Sequence, residues 1–517
     1  MSNNANSDND LGLDSSTDSS IDSKSDQYHD SSADLLTDQP CIPDCTGRMC
    51  GPDPACGTLC GNCTGTEICD TQGLCVPSPS WALAPSGTLP TKGNDIAQDN
   101  NGNTYVTGLI DGYVQGTSTF GSTSFSPIGS ANVFVTKVLP SGQFDWTLSF
   151  GPPIMLQLPP TTHEGKGIAV DTSGNVYITG YFEEQVVFGN INLVTKGQQD
   201  VFVAKILPTG QIDWAISVGG EKSDKAYSIT LDTVGNAYVT GEFSGQATFG
   251  NTTLSSEGSA DVFVAKVLSS GQTDWAISAG GGNSDKAYSI ALDNTGNAYI
   301  SGEFWEQPTF GTTTLSSEGN GDIFVAKVLP TGQFDWTISA GGTYWDKGNS
   351  IAVETSGNVY VTGEFGDEAT FGAITLSSKG NWDMFVAKVL PSGQFDWALS
   401  AGETSEDKGK DIALDNSGNI YVTGHFHDKE QVTFGTTTLT SQGNWDVFVA
   451  KVLPTGQFDW AIPAGGTTAD DGIGIALDAD SNMYVTGNFG EPAAFGSTTL
   501  SGVGWTNTVF VWKEPQP

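Results

Sequence analysis

Three short motifs each recur seven times beyond residue 80, and this repetition restricts the fold more than any other feature. They are Tyr-x-Thr-Gly or a close variant, a Phe-Val-Ala-Lys type segment, and a Trp that usually follows Asp. The tyrosines are Tyr105, Tyr177, Tyr238, Tyr299, Tyr360, Tyr421 and Tyr484. The tryptophans are Trp81, Trp146, Trp214, Trp275, Trp336, Trp397 and Trp460. The central copies are 61 residues apart, which predicts one supersecondary unit that buries its apolar face against its neighbours.

Each repeat is predicted to contain four β-strands. In the fourth repeat these are strand A at 289–293, strand B at 297–304, strand C at 322–329 and strand D at 334–339. The A–B link, Asp-Asn-Thr-Gly-Asn, and the C–D link, Pro-Thr-Gly-Gln, contain residues that favour tight turns, because Pro presets φ and Gly accepts the left-handed conformation. The fold class is therefore all-β.

The C–D hairpin predicts a specific cross-strand pairing. A three-residue turn places Lys327 opposite Asp335 and Val328 opposite Phe334. One face of the pair is then expected to carry Phe324, Ala326, Val328, Phe334, Trp336 and Ile338. The Lys and Asp recur in six repeats, and we interpret them as structural ion pairs.

The two ends of the repeat array predict a closed ring. The last repeat supplies strands A to C and stops at Lys513, whereas Trp81-Ala-Leu-Ala resembles a strand D and precedes the first strand A. Pairing these ends removes two bare sheet edges. We therefore expect a seven-bladed β-propeller of four-stranded blades, in which the N-terminal strand completes the last blade.

Loop length indicates which face of the propeller carries function. The C–D turn never changes length, whereas extra residues occur in the B–C connections and in one D–A connection, at 151–160. Both kinds of variable connection leave the blades on the same face. Binding residues are concentrated on loops that a rigid scaffold presents, so we expect function on this face.

The N-terminal part has a different composition. Residues 1–40 form an Asp- and Ser-rich leader that we expect to be disordered. Residues 41–76 form a cysteine module, 77–80 a linker and 81–517 the propeller. The module contains all eight cysteines: Cys41, Cys45, Cys50, Cys56, Cys60, Cys63, Cys69 and Cys75. Four disulfides in an oxidising compartment are expected. Zinc is the alternative, but Cys60-Gly-Asn-Cys63 lacks a second closely spaced pair.

Charge and hydropathy restrict the partners. The formal net charge is −39, which disfavours nucleic acid because phosphate binding requires clustered Lys and Arg. No run of 18 apolar residues occurs, so no membrane span is expected. We expect an extracellular or cell-envelope monomer, although the first 40 residues contain no signal peptide.

The repeats resemble a known family. The succession Gly-Asn-x-Tyr-Val-Thr-Gly, Asp-x-Phe-Val-Ala-Lys, Gly-Gly and Ile-Ala-x-Asp is similar to the bacterial SBBP β-propeller repeat, from Trp81 to Lys513. The cysteine segment resembles modules that precede such repeats in surface proteins and lipoproteins of myxobacteria-like bacteria. The resemblance implies an exported propeller and supplies no catalytic residues. Two features depart from the family pattern: Phe-Asp-Trp strands and a Phe-Gly-x-x-x-Leu segment in the B–C connection.

Aromatic residues that break the repeat form the main candidate binding site. They lie in the fourth to seventh repeats, on the variable face: Trp305, Tyr344, Trp345, Trp382, Trp445 and Trp505. Clustered exposed aromatics stack on sugars or anchor protein partners. Packing between neighbouring loops is the alternative explanation.

Metal sites are weaker candidates. Acidic residues follow strand B at Glu183, Glu242, Glu303, Glu364, Asp367, Glu368 and Glu491. They could bind Ca²⁺, with Glu242, Glu303 and Glu364 as its ligands, but a solvated acidic rim is the expected arrangement. His425 and His427 lie on one strand face, where a metal could bind them. The repeated Asp224, Asp285, Asp346 and Asp407 are expected to bond backbone N–H groups.

We therefore expect a non-catalytic, cofactor-free propeller that binds an extracellular protein or polysaccharide. A calcium-dependent lyase or hydrolase with an acidic mouth is one alternative, and a purely structural surface spacer is another. An enzyme should have one blade whose channel-facing residues break the repeat and form a perturbed acid–base pair.

Overall fold

A computed structural model describes most of the chain from residue 80 onward. The described ranges are 67–69, 75–77, 80–153, 161–427, 431–490, 492–502 and 507–517. The leader, Trp505 and most of the cysteine module therefore lie outside the described residues. Within these ranges all regular elements of secondary structure are β-strands, as expected for an all-β chain. No helix among these residues is long and apolar enough to cross a membrane.

The strands form a series of antiparallel four-stranded sheets in the order A-B-C-D, which we number along the chain. Sheet 1 contains Thr91–Gln98, Thr104–Ile110, Ser130–Val138 and Phe144–Phe150. Sheet 2 contains Glu164–Val170, Val176–Phe188, Ile191–Ile206 and Ile212–Gly220. Sheet 3 contains Asp224–Leu231, Ala237–Phe243, Asp261–Val267 and Thr273–Ala279. Sheet 4 contains Lys286–Leu292, Ala298–Phe304, Asp322–Val328 and Phe334–Gly342.

The remaining sheets follow the same order. Sheet 5 contains Lys347–Val353, Val359–Phe365, Asp383–Val389 and Phe395–Ala401. Sheet 6 contains Lys408–Leu414, Ile420–His427, Trp445–Leu453 and Gln457–Gly466. Sheet 7 contains Asp471–Leu477, Met483–Phe489 and Thr508–Glu514, and Trp81–Leu83 pairs with its third strand.

Most B–C connections contain a small hairpin that the sequence patterns did not predict. The paired strands are Ser118–Phe120 with Thr123–Phe125, Gln246–Phe249 with Thr252–Ser255, Thr309–Phe310 with Thr313–Thr314, Glu368–Phe371 with Ile374–Ser377, Gln431–Phe434 with Thr437–Thr440, and Ala493–Phe495 with Thr498–Leu500. In sheet 2 the long strands B and C form this hairpin themselves. The shorter strands are Glu67–Cys69 paired with Cys75–Pro77, Ser86–Gly87, and Thr161–Thr162.

The hairpins join neighbouring sheets. In sheet 3 the hairpin pairs with the end of strand D of sheet 2, where Gly219 lies opposite Thr248. The Phe of the Phe-Gly motif is buried: Phe249 is 1% exposed and its ring centroid lies 4.9 Å from that of Phe263 on strand C. The motif is therefore a packing element at the junction of two sheets.

Consecutive sheets also pack through their tryptophans. Trp146 on strand D of sheet 1 lies against Gly210 in the C–D turn of sheet 2 and donates to the carbonyl of Pro208. Trp81 lies in the same way against Gly142 of sheet 1. The apolar core between sheets is built from the buried tyrosines of strand B and the Val and Ala residues of strand C.

The C–D pairing confirms one part of the predicted register and corrects another. Val328 lies opposite Phe334, as predicted, but Lys327 pairs with Trp336 because Asp335 is an extra residue in a β-bulge. A one-residue bulge moves the following side chains to the other face. Ile338 therefore lies opposite Val325, and the prediction that Trp336 and Ile338 share the Phe324 face is wrong.

The predicted Lys–Asp ion pairs form in spite of the bulge. Lys327 Nζ lies 2.9 Å from Asp335 Oδ2, and four other repeats show the equivalent pair at 2.9–3.3 Å. The third repeat differs, because Lys266 Nζ lies 3.9 Å from Asp232 in the A–B turn.

Candidate functional site

Trp305, Tyr344, Trp345 and Trp382 lie close together where strands B, C and the D–A loops meet, and Trp445 begins strand C of the next sheet. We call Trp305, Tyr344, Trp345, Trp382 and Trp445 the aromatic arc. The rings of Trp305 and Trp345 are 6.2 Å apart at 55°, and Trp382 Nε1 donates to the carbonyl of Trp345 at 3.2 Å. The arc follows sheets 4 to 6 on the side of the B–C and D–A connections.

Trp345 is the best-connected member of the arc. Its Nε1 donates to Glu303 Oε2 at 2.8 Å, and Lys347 Nζ lies 4.0 Å from its ring centroid. The side chain is nevertheless 38% exposed, and the adjacent Tyr344 is 53% exposed. Trp345 is therefore held in one orientation while part of its ring remains accessible to a ligand.

Trp382 and Trp445 extend the arc. Lys408 Nζ lies 5.0 Å from the Trp382 ring centroid and 3.1 Å from Glu406 Oε2, so an ion pair borders this ring. Trp445 stacks on His425 with centroids 5.1 Å apart and an interplanar angle of 23°. Both tryptophans are partly buried.

His425 is paired with a carboxylate. Its Nδ1 lies 2.7 Å from Asp471 Oδ1, whereas its Nε2 is buried without a hydrogen-bond partner. Burial opposes ionisation of Asp471, but His425, Lys410 and Lys408 together lower its pKa. His427 also contacts Trp445, at 5.9 Å between ring centroids. The two imidazoles therefore share an aromatic neighbour, and their strand face is as predicted.

The glutamates proposed as metal ligands are engaged by donors. Glu303 is 1% exposed and accepts from Tyr288 Oη at 2.7 Å, with Lys286 and Lys347 nearby. Glu242 accepts from Tyr227 Oη at 2.7 Å, and Glu364 accepts from Asn349 Nδ2. Burial, followed by the Glu303 carboxylate, raises the pKa of Tyr288.

For Glu303 and Glu364 these contacts correct the expectation of a solvated acidic rim, because both are buried and hydrogen-bonded, whereas Asp367 and Glu368 are exposed. Within the described ranges, no group of three or more His, Cys, Asp and Glu side chains has a geometry suited to a metal ion.

A polar cavity of about 220 Å³ lies beside the first strands of seven sheets. Its walls include Asn94, Lys166, Tyr227, Tyr288, Asn349 and Lys410. The rings of Tyr227 and Tyr288 are 5.5 Å apart, and burial raises the pKa of Asp411 in the wall to about 6. Sequence reasoning missed these residues, although they occupy one recurring position next to the Gly or Ala of strand A.

The comparisons with known proteins concern the repeats. Residues 146–181, 216–242 and 397–425 match the family model described as SBBP, beta-propeller repeat. An uncharacterized WD repeat-containing protein of Acanthamoeba polyphaga mimivirus is 22% identical over 508 residues, which cover 80% of this chain and 36% of that protein. The regulatory protein FlaEY of Caulobacter vibrioides is 23% identical over 169 residues, or 31% of this chain and 18% of that protein.

The chain also matches solved structures, at low sequence identity. YCF48 bound to D1 peptide matches with a TM-score of 0.38 and 9% identity, covering 85% of this chain and 96% of that one. Polysaccharide lyase Uly1 matches with a TM-score of 0.41 and 10% identity, covering 82% and 90%. The chain spans about a third of the first curated relative and about a fifth of the second. Three segments of this chain therefore match the SBBP-type β-propeller repeat.

Proposed function

We propose that residues 81–517 form a closed seven-bladed β-propeller that binds polysaccharide through the aromatic arc, outside the cell or on its envelope. Closure is supported by contacts that the N-terminal strand and sheet 1 make with sheet 7. Trp81, Ala82 and Leu83 pair with Lys513, Trp512 and Val511. A second link is the hydrogen bond from Val509 N–H to Thr91 Oγ1 at 2.9 Å.

The exposed part of Trp345 is the observation that carries the binding proposal. Partly exposed indole rings provide flat apolar surfaces for the C–H faces of sugars, and this interaction requires a fixed ring. Glu303 and Lys347 fix Trp345. The Lys408–Glu406 pair beside Trp382 offers donors and acceptors to sugar hydroxyls. A protein partner could use the same anchors, and it is the alternative ligand.

A glycan array tests this proposal. The double variant Trp345→Ala, Trp382→Ala should lose about five- to 150-fold in affinity, since each aromatic contact contributes about 0.5–1.5 kcal/mol. The matched control is Tyr113→Ala, which removes a 48% exposed aromatic ring from sheet 1. Equal binding by wild type and the double variant would contradict the proposal. Absence of glycan binding by wild type, together with arc-dependent capture of a protein, would favour the protein partner.

The His425–Asp471 pair favours a second candidate, an enzymatic function. In the third to fifth repeats the residue equivalent to His425 on strand B is Glu. In the fourth to sixth repeats the residue equivalent to Asp471 on strand A is Lys. A carboxylate that holds Nδ1 orients an imidazole for acid–base work at Nε2. The test is polysaccharide degradation by wild type and by His425→Gln. Cleavage that the variant abolishes would establish the enzyme, and inactivity of wild type would remove this candidate.

The disulfides and the oxidising location also belong to the proposal. Its support is the confinement of all eight cysteines to residues 41–75, a density typical of exported modules.

A further inference from the structure

Five junctions between consecutive sheets each contain two buried aspartates. One begins strand C or lies one residue inside it, except that Asp200 lies within the longer strand C of sheet 2. The other begins strand A of the next sheet or directly precedes it. The pairs are Asp200 with Asp224, Asp261 with Asp285, Asp322 with Asp346, Asp383 with Asp407, and Asp446 with Asp470. All ten side chains are at most 3% exposed. Ten buried carboxyl groups require compensation by hydrogen bonds, ions or protons.

The hydrogen bonds leave one oxygen of each pair without a donor. Asp224 accepts from Gly220 N–H at 2.7 Å and from Ser244 N–H at 3.1 Å. Asp200 accepts from Lys196 N–H at 3.1 Å through Oδ2 only. The oxygens that are buried without a partner are Asp200 Oδ1, Asp261 Oδ1, Asp322 Oδ1, Asp383 Oδ1 and Asp446 Oδ1. The same atom is unpartnered in all five junctions.

A glycine brings the two carboxyl groups together. The position that a Cβ on Gly219 would occupy lies 2.7 Å from Asp200 Oδ1 and 2.9 Å from Asp224 Oδ2. For Gly465 the distances are 2.6 Å to Asp446 Oδ1 and 3.0 Å to Asp470 Oδ2. Both carboxyl groups therefore face the same Cα, and any larger residue would collide with them.

The other two junctions have neutral residues at these positions. Sheets 1 and 2 meet at Asn132 and His163, and sheets 7 and 1 meet at Thr508 and Thr91. Burial lowers the pKa of His163 to about 4, so this imidazole is uncharged at neutral pH. The same architectural position thus accepts amide, neutral imidazole and hydroxyl groups, which indicates that the site favours uncharged side chains.

The charged groups that face the aspartates are of both signs. Lys196 faces Asp200 and Asp224, while Glu257 faces Asp261, Glu303 faces Asp285 and Glu318 faces Asp322. At the junction of sheets 5 and 6, Lys379 and Glu403 face Asp383, and His425 faces Asp407. Burial is the main cause that raises the pKa of Asp200 to about 6 and the pKa of Asp224 to about 7, and repulsion from Asp200 adds to the second.

We infer that these five junctions retain protons near neutral pH and act as acid-stabilised clamps on the loops that present the aromatic arc. The strand A aspartates connect directly to these loops. Asp285 accepts from Trp305 N–H at 3.0 Å, Asp346 from Gly366 N–H at 3.0 Å, and Asp407 from His427 N–H at 3.2 Å. The inference requires no ligand, so it stands independently of the proposed binding function.

The sign of the pH effect follows from linkage. The folded-state pKa lies above the unfolded value of 3.8, so the folded protein binds more protons between these values. The stability that each protonated carboxyl contributes is fully present below about pH 4 and is lost as pH rises towards 7. When the second aspartate of a pair ionises, two negative charges lie side by side at the glycine, as at Gly219 and Gly465, and their repulsion loosens the junction.

Two reciprocal substitutions test this inference in the full-length chain with EDTA present. Asp200→Asn mimics the protonated carboxyl and should make unfolding less dependent on pH, whereas Asn132→Asp should make it more dependent. Each carboxyl can change the unfolding equilibrium constant by up to tenfold per pH unit between pH 4 and 6. Urea unfolding from pH 4 to 8 measures both variants against wild type. The two substitutions change the net charge by one unit in opposite directions.

Hydrogen exchange supplies a second measurement in wild type. After correction for intrinsic exchange, amides of residues 219–224 should lose protection between pH 5 and 8, and those of residues 161–164 in the neutral junction should not. Parallel pH dependence of wild type and both variants, or equal loss of protection at the two junctions, would overturn the inference.

Discussion

Replacement of Trp81 by alanine is the sharpest test of ring closure. The Trp81 ring lies edge-on to Tyr484 at 6.1 Å and against Gly142, whereas Trp146 lies 6.0 Å from Tyr105 and against Gly210. The two tryptophans therefore occupy equivalent positions, one at the proposed closure and one within the continuous chain.

The expected cost can be worked out from these environments. Truncation of a buried Trp to Ala costs about 3–5 kcal/mol, and both rings are partly buried, so about 3 kcal/mol is expected at each site. Trp146 also donates to Pro208, which adds up to about 1 kcal/mol to its loss. In a closed ring, the free energies of unfolding of Trp81→Ala and Trp146→Ala should therefore agree within about 1 kcal/mol.

Urea unfolding followed by circular dichroism measures both variants. An open array would let the N-terminal strand detach without unfolding the remainder. A cost below about 0.5 kcal/mol for Trp81→Ala, beside about 3 kcal/mol for Trp146→Ala, would refute closure.

Three further predictions concern the scaffold. Phe249→Ala should lower the free energy of unfolding by about 3–5 kcal/mol because the ring is buried against Phe263. The control Val234→Ala, in a turn where the side chain is 72% exposed, should change it by less than about 0.5 kcal/mol. Thermal and urea unfolding measure both variants. Asp335→Ala should cost at most about 1 kcal/mol by the same assay, since its side chain is 40% exposed in the ion pair with Lys327. None of the eight cysteines should react with iodoacetamide before reduction, and labelling of the native protein would disprove the disulfide framework.

Strand positions could be predicted from the sequence wherever one face is apolar. Strand C was expected at 322–329 and lies at Asp322–Val328. Strand A was expected from residue 289 but begins at Lys286. Among the additional residues, Tyr288 faces the polar cavity, where this residue and its equivalents need not be apolar, so the alternation that marks a strand is absent.

The bulge at Asp335 shows a second limit. Gly332 has φ of +78°, the left-handed conformation that accompanies a bulge in three-residue hairpin loops. Asp335 is exposed and reaches Lys327 in either register, so its residue type cannot reveal the shift. The sequence also could not predict the ion pair between Glu303 and Lys347, because Lys347 approaches it from the neighbouring sheet.

The aromatic residues of the arc could be found because they break a repeat, whereas the paired aspartates could not, because they conform to it. Asp200 and Asp224 are 24 residues apart and appear in sequence as ordinary strand-end residues. Only their common approach to Gly219 shows that they form a pair.

The hairpin between strands B and C has a consequence for engineering this scaffold. Its base is anchored by Phe249 and Leu254 in sheet 3 and by Phe310 and Leu315 in sheet 4, and all four side chains are buried. Residues 305–321 could therefore be exchanged for 244–260 as a self-contained cassette with its own anchoring side chains. Recognition surfaces could then be reassorted around the molecule while the sheets beneath keep their hydrogen-bonded ladders.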